Sequence, residues 1–244
     1  MLTNISPNIQ IFIISWQGHH ENAAFIANQL IDIQDQVSIV YSDPDPKKSY
    51  DVKCRQIQRS NELFFGDKFK ACLDYSNSDH LLIIHADCKT TNWLNLVHSY
   101  NKAINQITNL GVWSPEINYT FFSKEITSLY AIQNTYYEIV CYIDAVIFGI
   151  SKSIQNRMKL ADFNHNKFGW SIDRMIAAHA LSINQFLVLD KSIQIQHLKH
   201  RGYDGVEADK QGIYFLKQLS KAEEIHDKLL ISHMRLNHIK SKKR

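Results

Sequence analysis

The run LLII at residues 81–84 constrains the fold of this chain more than any other stretch. A strand with one exposed face alternates apolar and polar residues, so an uninterrupted apolar run predicts a strand that is buried on both faces. Such strands lie inside parallel sheets that are covered by helices. The run ends at His85 and Asp87, which lie two residues apart and therefore project to the same side of an extended chain.

Those two polar side chains mark a candidate site, because ligands of open α/β sheets bind at the carboxyl ends of the strands. A carboxylate and an imidazole at that end can hold a metal ion, a phosphate or a sugar hydroxyl. In the alternative interpretation, Asp87 only caps the element that follows it.

The residues before this run predict a doubly wound β-α-β-α-β beginning. Residues 9–15 and 37–41 are rich in β-branched apolar residues and are predicted to be strands. Residues 23–30 and 61–75 place apolar side chains at helical spacing. This alternation implies parallel strands joined by right-handed crossovers.

The rest of the chain continues the alternation of helices and strands. The predicted helices are 91–107, 154–158 and one that begins near Asp173, and the predicted strands are 111–116, 143–151, 185–189 and 192–196. Residues 121–137 have no clear period, and no element is assigned to them. The predicted fold class is α/β, with a mixed, mainly parallel sheet flanked by helices and a C-terminal helical extension.

Composition limits the class of protein. A chain of 244 residues that is 45% hydrophobic and 21% charged suits one sizeable core. The net charge of +3 is too small to indicate nucleic acid as a partner. The four cysteines form no C-x-x-C pair, so reduced thiols in a cytoplasmic protein are expected. No apolar run reaches the roughly 20 residues that span a bilayer.

Two nucleotide-binding motifs are absent. The sequence contains neither G-x-G-x-x-G after the first strand nor G-x-x-x-x-G-K-[ST] anywhere, which argues against Rossmann dehydrogenases and P-loop kinases. The phosphates of a bound nucleotide would therefore need another source of positive charge. A divalent cation held by Asp87 would supply it.

Four landmarks occur in one order along residues 9–203. They are Asp43 after the second strand, His85-Ala86-Asp87, the segment GWSID at residues 169–173, and His197 followed by Arg201. In this order they resemble a GT-A-fold glycosyltransferase of the inverting family-two type. In that family the corresponding positions form the base-binding entrance, the D-x-D motif, the segment with the catalytic base, and a late metal-binding histidine with a basic loop.

The resemblance implies a role for each landmark. Asp173 would be the catalytic base and Trp170 would contact the acceptor. The metal ligands would be Asp87, His85 and His197, and the donor-binding residues would be Asp43, His85, Asp87, Asp144 and Arg201. Two positions depart from the family pattern: His85 replaces the first Asp of D-x-D, and Ser-Ile replaces Gly-Glu before Asp173. An imidazole ligand favours Mn²⁺ over Mg²⁺.

The implied activity is metal-dependent transfer of a sugar, with inversion, from a UDP-sugar to a hydroxyl of a glycan or lipid-linked glycan. The alternative is a non-catalytic GT-A-like module that binds a nucleotide sugar or a partner. Several residues also keep structural alternatives: Asp43 as a turn cap, His197 as a surface histidine, Arg201 as a solvated charge and Trp170 as helix packing.

The C-terminal residues differ from the rest of the chain. We predict a GT-A domain at residues 1–204 and an amphipathic helical tail with a basic end at residues 205–244. The tail is expected to dock on the domain. Contact with an anionic membrane surface at the inner membrane face and formation of a homodimer are the alternatives.

Overall fold

The computed structural model describes residues 8–42, 52–60, 62–197 and 203–241. The strands are β1 (Ile9–Ile14), β2 (Val37–Tyr41), β3 (Arg55–Gln58), β4 (His80–His85), β5 (Cys88–Lys89), β6 (Leu110–Ile117), β7 (Ser128–Ala131), β8 (Tyr137–Val140), β9 (Ile147–Ser151) and β10 (Phe186–His197). The helices are α1 (His20–Gln29), α2 (Phe65–Tyr75), α3 (Trp93–Gln106), α4 (Lys124–Thr127), α5 (Lys152–Lys159), α6 (Ile172–Ser182), α7 (Gly205–Phe215) and α8 (Lys221–Ser241).

The strands form one mixed sheet in the order β3-β2-β1-β4-β9-β6-β10-β8-β7, and β5 pairs with the end of β10. Strands β3, β2, β1 and β4 are mutually parallel, as are β6 and β10. Along this path β9 and β8 are antiparallel to their neighbours. Most strands therefore point the same way, which confirms the predicted mainly parallel α/β sheet.

Strand β4 lies in the middle of this sheet, between β1 and β9. The four residues of its LLII run are fully buried. Ile83 packs into the core on the side of α2 and α6, whereas Ile84 packs into the core on the side of α1 and α3. The prediction of a strand buried on both faces is confirmed.

Some predicted boundaries are wrong. The two strands expected at 185–189 and 192–196 are one strand, β10, with a register shift between Asp190 and Gln194. Asp190 is fully buried and accepts hydrogen bonds from Trp113 Nε1 (3.3 Å) and Ser192 N (2.9 Å). A polar residue inside a strand therefore reflects a satisfied buried carboxylate and not a break. Strand β9 begins at Ile147, four residues later than predicted.

Helix α8 packs against α6 and α4. Leu230 and Met234 of α8 are buried in the core on the α6 side. Arg157 of α5 holds Glu223 of α8 through Nε (2.7 Å) and Nη2 (3.0 Å). The described C-terminal residues are thus docked helices, while the division of the chain at residue 204 stays a prediction. Among the described residues, no helix is long and apolar enough to cross a membrane.

Candidate functional site

Strand pairing brings Asp87 and His197 together. Asp87 lies in the turn between β4 and β5, and Cys88 of β5 pairs with His197 at the end of β10. The His197 backbone N–H also donates to Asn118 Oδ1 (2.9 Å), just beyond β6. As a result His197 Nε2 lies 3.5 Å from Asp87 Oδ2. The structure therefore places both predicted metal ligands side by side.

The donor atoms at this point fit a divalent cation. The ligand atoms of Asp87, Cys88 and His197 lie within 4.8 Å of one another. Asp87 Oδ1 is buried and has no hydrogen-bond partner within the part of the chain that the structure describes. A buried carboxylate oxygen without a partner is costly, so a cation at this atom would satisfy it.

The charge states at Asp87 and Cys88 differ. Burial raises the pKa of Asp87, but the hydrogen bond from His197 and the neighbouring imidazoles of His85, His197 and His19 lower it more, so the carboxylate stays charged. Burial and the charge of Asp87 hold the pKa of Cys88 well above its usual range. Because only the thiolate is a good ligand, Asp87 and His197 are the stronger metal ligands of this group.

Two opposing effects set the pKa of His197. Burial lowers this pKa, but the hydrogen bond to Asp87, the charges of Asp87 and Asp144, and the Tyr119 backbone carbonyl raise it overall. Both carboxylates therefore favour a cation at the position of this imidazole. A metal ion bound by the neutral imidazole would meet the same electrostatic preference.

His85 ends β4 and lies in an aromatic environment. Its ring packs edge-on against Trp16 (5.4 Å between ring centroids) and Phe65 (5.0 Å). Burial lowers the pKa of His85 to about 4, so the imidazole is neutral. Its Nε2 atom has no hydrogen-bond partner among the described residues, and its nitrogens are outside the Asp87–Cys88–His197 group. His85 as a metal ligand or donor-binding residue stays a prediction.

A tight turn delivers Asp173 to the first turn of α6. Gly169 (φ 77°) and Ser171 (φ 66°) adopt left-handed backbone conformations. A Cβ at Gly169 would lie 2.4 Å from a ring carbon of Phe65, so a side chain does not fit there. Asp173 Oδ1 accepts a hydrogen bond from Arg174 N (2.8 Å), and Oδ2 accepts one from the Tyr142 hydroxyl.

The environment of Asp173 makes it a suitable base. Burial raises its pKa first and the charge of Asp144 raises it further, while the hydrogen bonds from Tyr142 and Arg174 lower it. The resulting pKa is about 7. A carboxylate with a pKa near the operating pH combines availability with proton affinity, as general base catalysis requires.

Asp144 affects two of the predicted site residues, His197 and Asp173. It lies in the turn before β9, and its Oδ2 accepts a hydrogen bond from Phe121 N (2.8 Å). The charge of Asp144 raises the pKa of both Asp173 and His197. Asp144 therefore lies near enough to both Asp173 and His197 for its charge to act on them.

The remaining predicted residues are placed as follows. Trp170 lies in the turn before α6, and its Nε1 donates to the Tyr203 hydroxyl (2.9 Å). A cavity of about 410 Å³ opens next to Asp144 and Tyr142. Asp43 and Arg201 lie outside the described residues.

Two residues near the predicted ones, Tyr142 and His19, were not predicted from the sequence. Tyr142 lies directly before the predicted strand at 143–151, and nothing in the sequence marks it as a partner of Asp173. His19 lies directly before α1, and its charge contributes to lowering the pKa of Asp87. The available signal for His19 was its place in the polar segment between β1 and α1, because ligands of open α/β sheets bind at the carboxyl ends of the strands.

The likeness to solved structures shows that the chain has the GT-A fold. It is similar to GalNAc-T7 solved with UDP, GalNAc and Mn²⁺ (TM-score 0.66, 8% identity, 91% of this chain and 50% of that chain). It is also similar to the mannosyltransferase PcManGT of Pyrobaculum calidifontis solved with GDP-Man and Mn²⁺ (TM-score 0.55, 8% identity, 98% of this chain and 76% of that chain).

A third similar structure is glucosyl-3-phosphoglycerate synthase of Mycobacterium tuberculosis, solved with Mn²⁺, UDP and phosphoglyceric acid (TM-score 0.52, 10% identity, 86% of this chain and 77% of that chain). This chain spans half the length of GalNAc-T7. A nucleotidyltransferase also matches, with a TM-score of 0.50. No protein-family model matches the chain, and no curated protein matches it in sequence.

Proposed function

We propose that this protein is a divalent-cation-dependent glycosyltransferase that moves a sugar from a nucleoside-diphosphate donor to an acceptor hydroxyl. One observation carries the proposal: Asp87 and His197 form a pair at 3.5 Å, and the charge of Asp144 acts both on this His197 and on Asp173, whose pKa is about 7. The finer proposal is a UDP-sugar donor, Mn²⁺ as the cation, and an acceptor on a glycan or lipid-linked glycan.

On the donor side, Asp87 and His197 would hold the cation, and His85 would contact it or the ribose. When bound, the cation would neutralise the charge that develops on the departing diphosphate. Asp43 would accept a hydrogen bond from the base or ribose, and Arg201 would bind phosphate oxygens. The UDP, GDP-Man and Mn²⁺ of the similar structures support this choice of donor and cation.

On the acceptor side, Asp173 Oδ2 would take the proton of the attacking hydroxyl. The Tyr142 hydroxyl and the Arg174 N–H hold the carboxylate in position, so the base does not have to be ordered by the substrate. Attack by the acceptor oxygen in one displacement inverts the anomeric carbon. Asp144 would contact the donor sugar and Trp170 the acceptor.

A non-catalytic module that binds nucleotide sugars is the second candidate. The observation that favours it is His85, a neutral imidazole where the family has the first carboxylate of D-x-D. A nucleotidyltransferase function is less well supported, because residues 16–21 (WQGHHE) are not a glycine-rich basic loop. The proposed location is the cytoplasm, with peripheral membrane contact or a homodimer through α7 and α8 as further proposals.

A screen of sugar nucleotides with Mn²⁺ tests the function. A donor that binds only the folded state raises the melting temperature, by an amount that grows with concentration. We expect one donor to raise it and to be hydrolysed slowly, with release of the nucleoside diphosphate. Binding without hydrolysis or transfer would support the non-catalytic module, and no binding by any donor would refute both candidates.

A further inference from the structure

Phe121 is an exposed residue next to Asp144. Its side chain is 57% exposed, whereas the adjacent Phe122 packs edge-on against buried Tyr142 (5.1 Å between ring centroids). A single exposed phenylalanine is ordinary on a protein surface. Here, however, the backbone is fixed, because Phe121 N donates to Asp144 Oδ2 at 2.8 Å. The backbone that carries the exposed ring is therefore held beside Asp144.

Trp170 provides a second ring at the same place. The Phe121 and Trp170 ring centroids lie 6.4 Å apart with the planes inclined at 64°. The Trp170 indole is held by a hydrogen bond from its Nε1 to the Tyr203 hydroxyl (2.9 Å). The Tyr203 ring in turn stacks on Phe168 (4.8 Å between ring centroids). Both rings are thus tied to Asp144 or to the turn that carries Asp173. We call these two rings the aromatic platform.

The surroundings of the platform are rich in carboxylates. The cavity of about 410 Å³ next to Asp144 is also lined by Glu116, Glu125 and Lys124. Lys124 Nζ lies 2.7 Å from Glu116 Oε1, so its charge is already matched. Carboxylates accept hydrogen bonds from sugar hydroxyls, whereas a second anion in the same cavity would be repelled.

We infer that the aromatic platform binds the apolar C–H face of an uncharged pyranose, whose hydroxyls point toward Asp144 and the adjoining cavity. The negative faces of the two rings attract the weakly positive C–H groups of the sugar. This inference rests on the proposed function and names its acceptor class as neutral sugars. Anionic acceptors such as uronic acids and sugar phosphates are disfavoured.

The test measures sugar binding and nucleotide binding separately on the same samples. Protein with UDP and Mn²⁺ is titrated with cellobiose, lactose, maltose, glucuronic acid and glucose 6-phosphate by ligand-observed NMR. The variants are Phe121→Ala, Phe121→Tyr and Phe25→Ala. Phe25 is a matched control, because it is 58% exposed on α1 and touches no part of the platform described above. Calorimetry with UDP and Mn²⁺ reports on the donor site.

We expect at least one neutral disaccharide to bind. Its dissociation constant should rise about 3- to 10-fold in Phe121→Ala, the factor that loss of an aromatic contact produces, and stay unchanged in Phe121→Tyr and Phe25→Ala. Glucuronic acid and glucose 6-phosphate should bind more weakly than the neutral sugar.

Three results would overturn the inference: no neutral sugar binds, Phe121→Ala binds as tightly as the unmodified protein, or the anionic sugars bind as well as the neutral ones. The calorimetric result separates the two proposals. If UDP fails to bind but sugar binding still depends on Phe121, the aromatic platform is retained as a sugar-binding site and the proposed transferase function is refuted. If UDP binds and Phe121→Ala leaves sugar binding unchanged, the inference about the aromatic platform is wrong and the proposed transferase function is retained.

Discussion

The pKa values of Asp87 and Asp173 are shifted in opposite directions, and this difference supports separate proposed roles for the two carboxylates. The pKa of Asp87 is lowered by neighbouring imidazoles, whereas that of Asp173 is raised to about 7 by burial and by Asp144. Paired acids whose environments separate their pKa values typically divide their tasks. Asp87 is suited to a cation and Asp173 to a proton.

Replacing Asp87 by alanine tests the cation site. The change Asp87→Ala removes the charged ligand, so the dissociation constant for UDP with Mn²⁺ should rise about 10- to 100-fold, the loss seen even for partners of metal ligands. Titration calorimetry with and without Mn²⁺ measures it. Asp209→Ala, an exposed aspartate on α7, is the control. If Asp87→Ala binds UDP with Mn²⁺ as tightly as the unmodified protein does, Asp87 is not a metal ligand.

Replacing Asp173 by asparagine tests the base. Asp173→Asn keeps the shape of the side chain but cannot take a proton, so transfer should slow about 100- to 10,000-fold. UDP affinity should stay unchanged, because the proposed ligands of the cation that binds the diphosphate are Asp87 and His197. The rate is measured as release of nucleoside diphosphate in the presence of acceptor. Transfer at the unmodified rate would show that another group is the base.

The pH dependence of transfer follows from the pKa of Asp173. Transfer needs the ionised form, so with saturating donor the rate should fall as the pH drops through about 7. Asp144→Asn removes a nearby negative charge, which lowers the pKa of Asp173 and moves this limb of the profile to lower pH. Asp209→Asn should leave the profile in place. If Asp144→Asn leaves the acid limb of the pH–rate profile in place, the charge of Asp144 does not raise the pKa of Asp173.

At the scale of single residues, the sequence indicated candidate site residues but not the side chains that contact them. The motif order pointed to Asp87, Asp173 and His197, and the family resemblance added Asp144. The structure brings His197 to 3.5 Å from Asp87, while the roles of all four residues stay predictions. Tyr142 and His19 were not predicted, because their roles depend on which side chain of a remote segment lies opposite them. A sequence pattern carries no such information.

At the scale of elements, helix α6 is the support of the proposed base, and α8 supports α6. Arg174 of α6 bonds Asp227 of α8 through Nε (3.0 Å) and Nη2 (2.8 Å). Leu230 of α8 is 7% exposed and lies in the same core, while its neighbour Leu229 is 60% exposed. One face of α8 is therefore part of the domain core.

The two leucines form a matched pair of mutations. Leu230→Ala should lower the free energy of unfolding by about 2–5 kcal/mol, because it leaves a cavity in the core. Leu229→Ala should change it by less than about 0.5 kcal/mol, as an exposed position does. Urea denaturation followed by circular dichroism measures both. Equal effects would mean that α8 does not dock through this face.

Elements with strong periodicity were predicted well, and those defined by pairing were not. Strand β2 has the predicted bounds, and the central strand was identified from its apolar run. The short strand β5 was missed, since two residues have no period. Residues 121–137 hold α4 and β7, whose order follows from packing against α8 and pairing with β8.

At the scale of the whole molecule, a buried carboxylate joins the C-terminal helices to the rest of the chain. Glu223 of α8 is 2% exposed and contacts Arg157 of α5 and His179 of α6 (Nδ1–Oε1, 2.9 Å). Burial raises its pKa, but the hydrogen bonds from Arg157 and Ser220 and the charges of Arg157 and His179 lower it to about 2. Three helices thus depend on one ionised group.

This depressed pKa predicts how stability depends on pH. The contribution of Glu223 is fully present above its ordinary pKa of 4.5 and is lost as the pH falls through about 2. Glu223→Gln should therefore be less stable than the unmodified protein at neutral pH, by about 3 kcal/mol, and the difference should shrink in acid. Urea unfolding at several pH values measures this. Glu224→Gln is the control, since Glu224 is about half exposed.

The sequence by itself determined the fold class, the buried central strand and the order of the polar residues that follow the strands. It did so because apolar periodicity is a local property, and because parallel strands always present their carboxyl ends at one edge. Tertiary structure alone decided that β5 pairs with β10 and brings His197 to Asp87. It also decided that Tyr142 and Asp144 shape the pKa of Asp173, since burial and charge depend on neighbours that are distant in sequence.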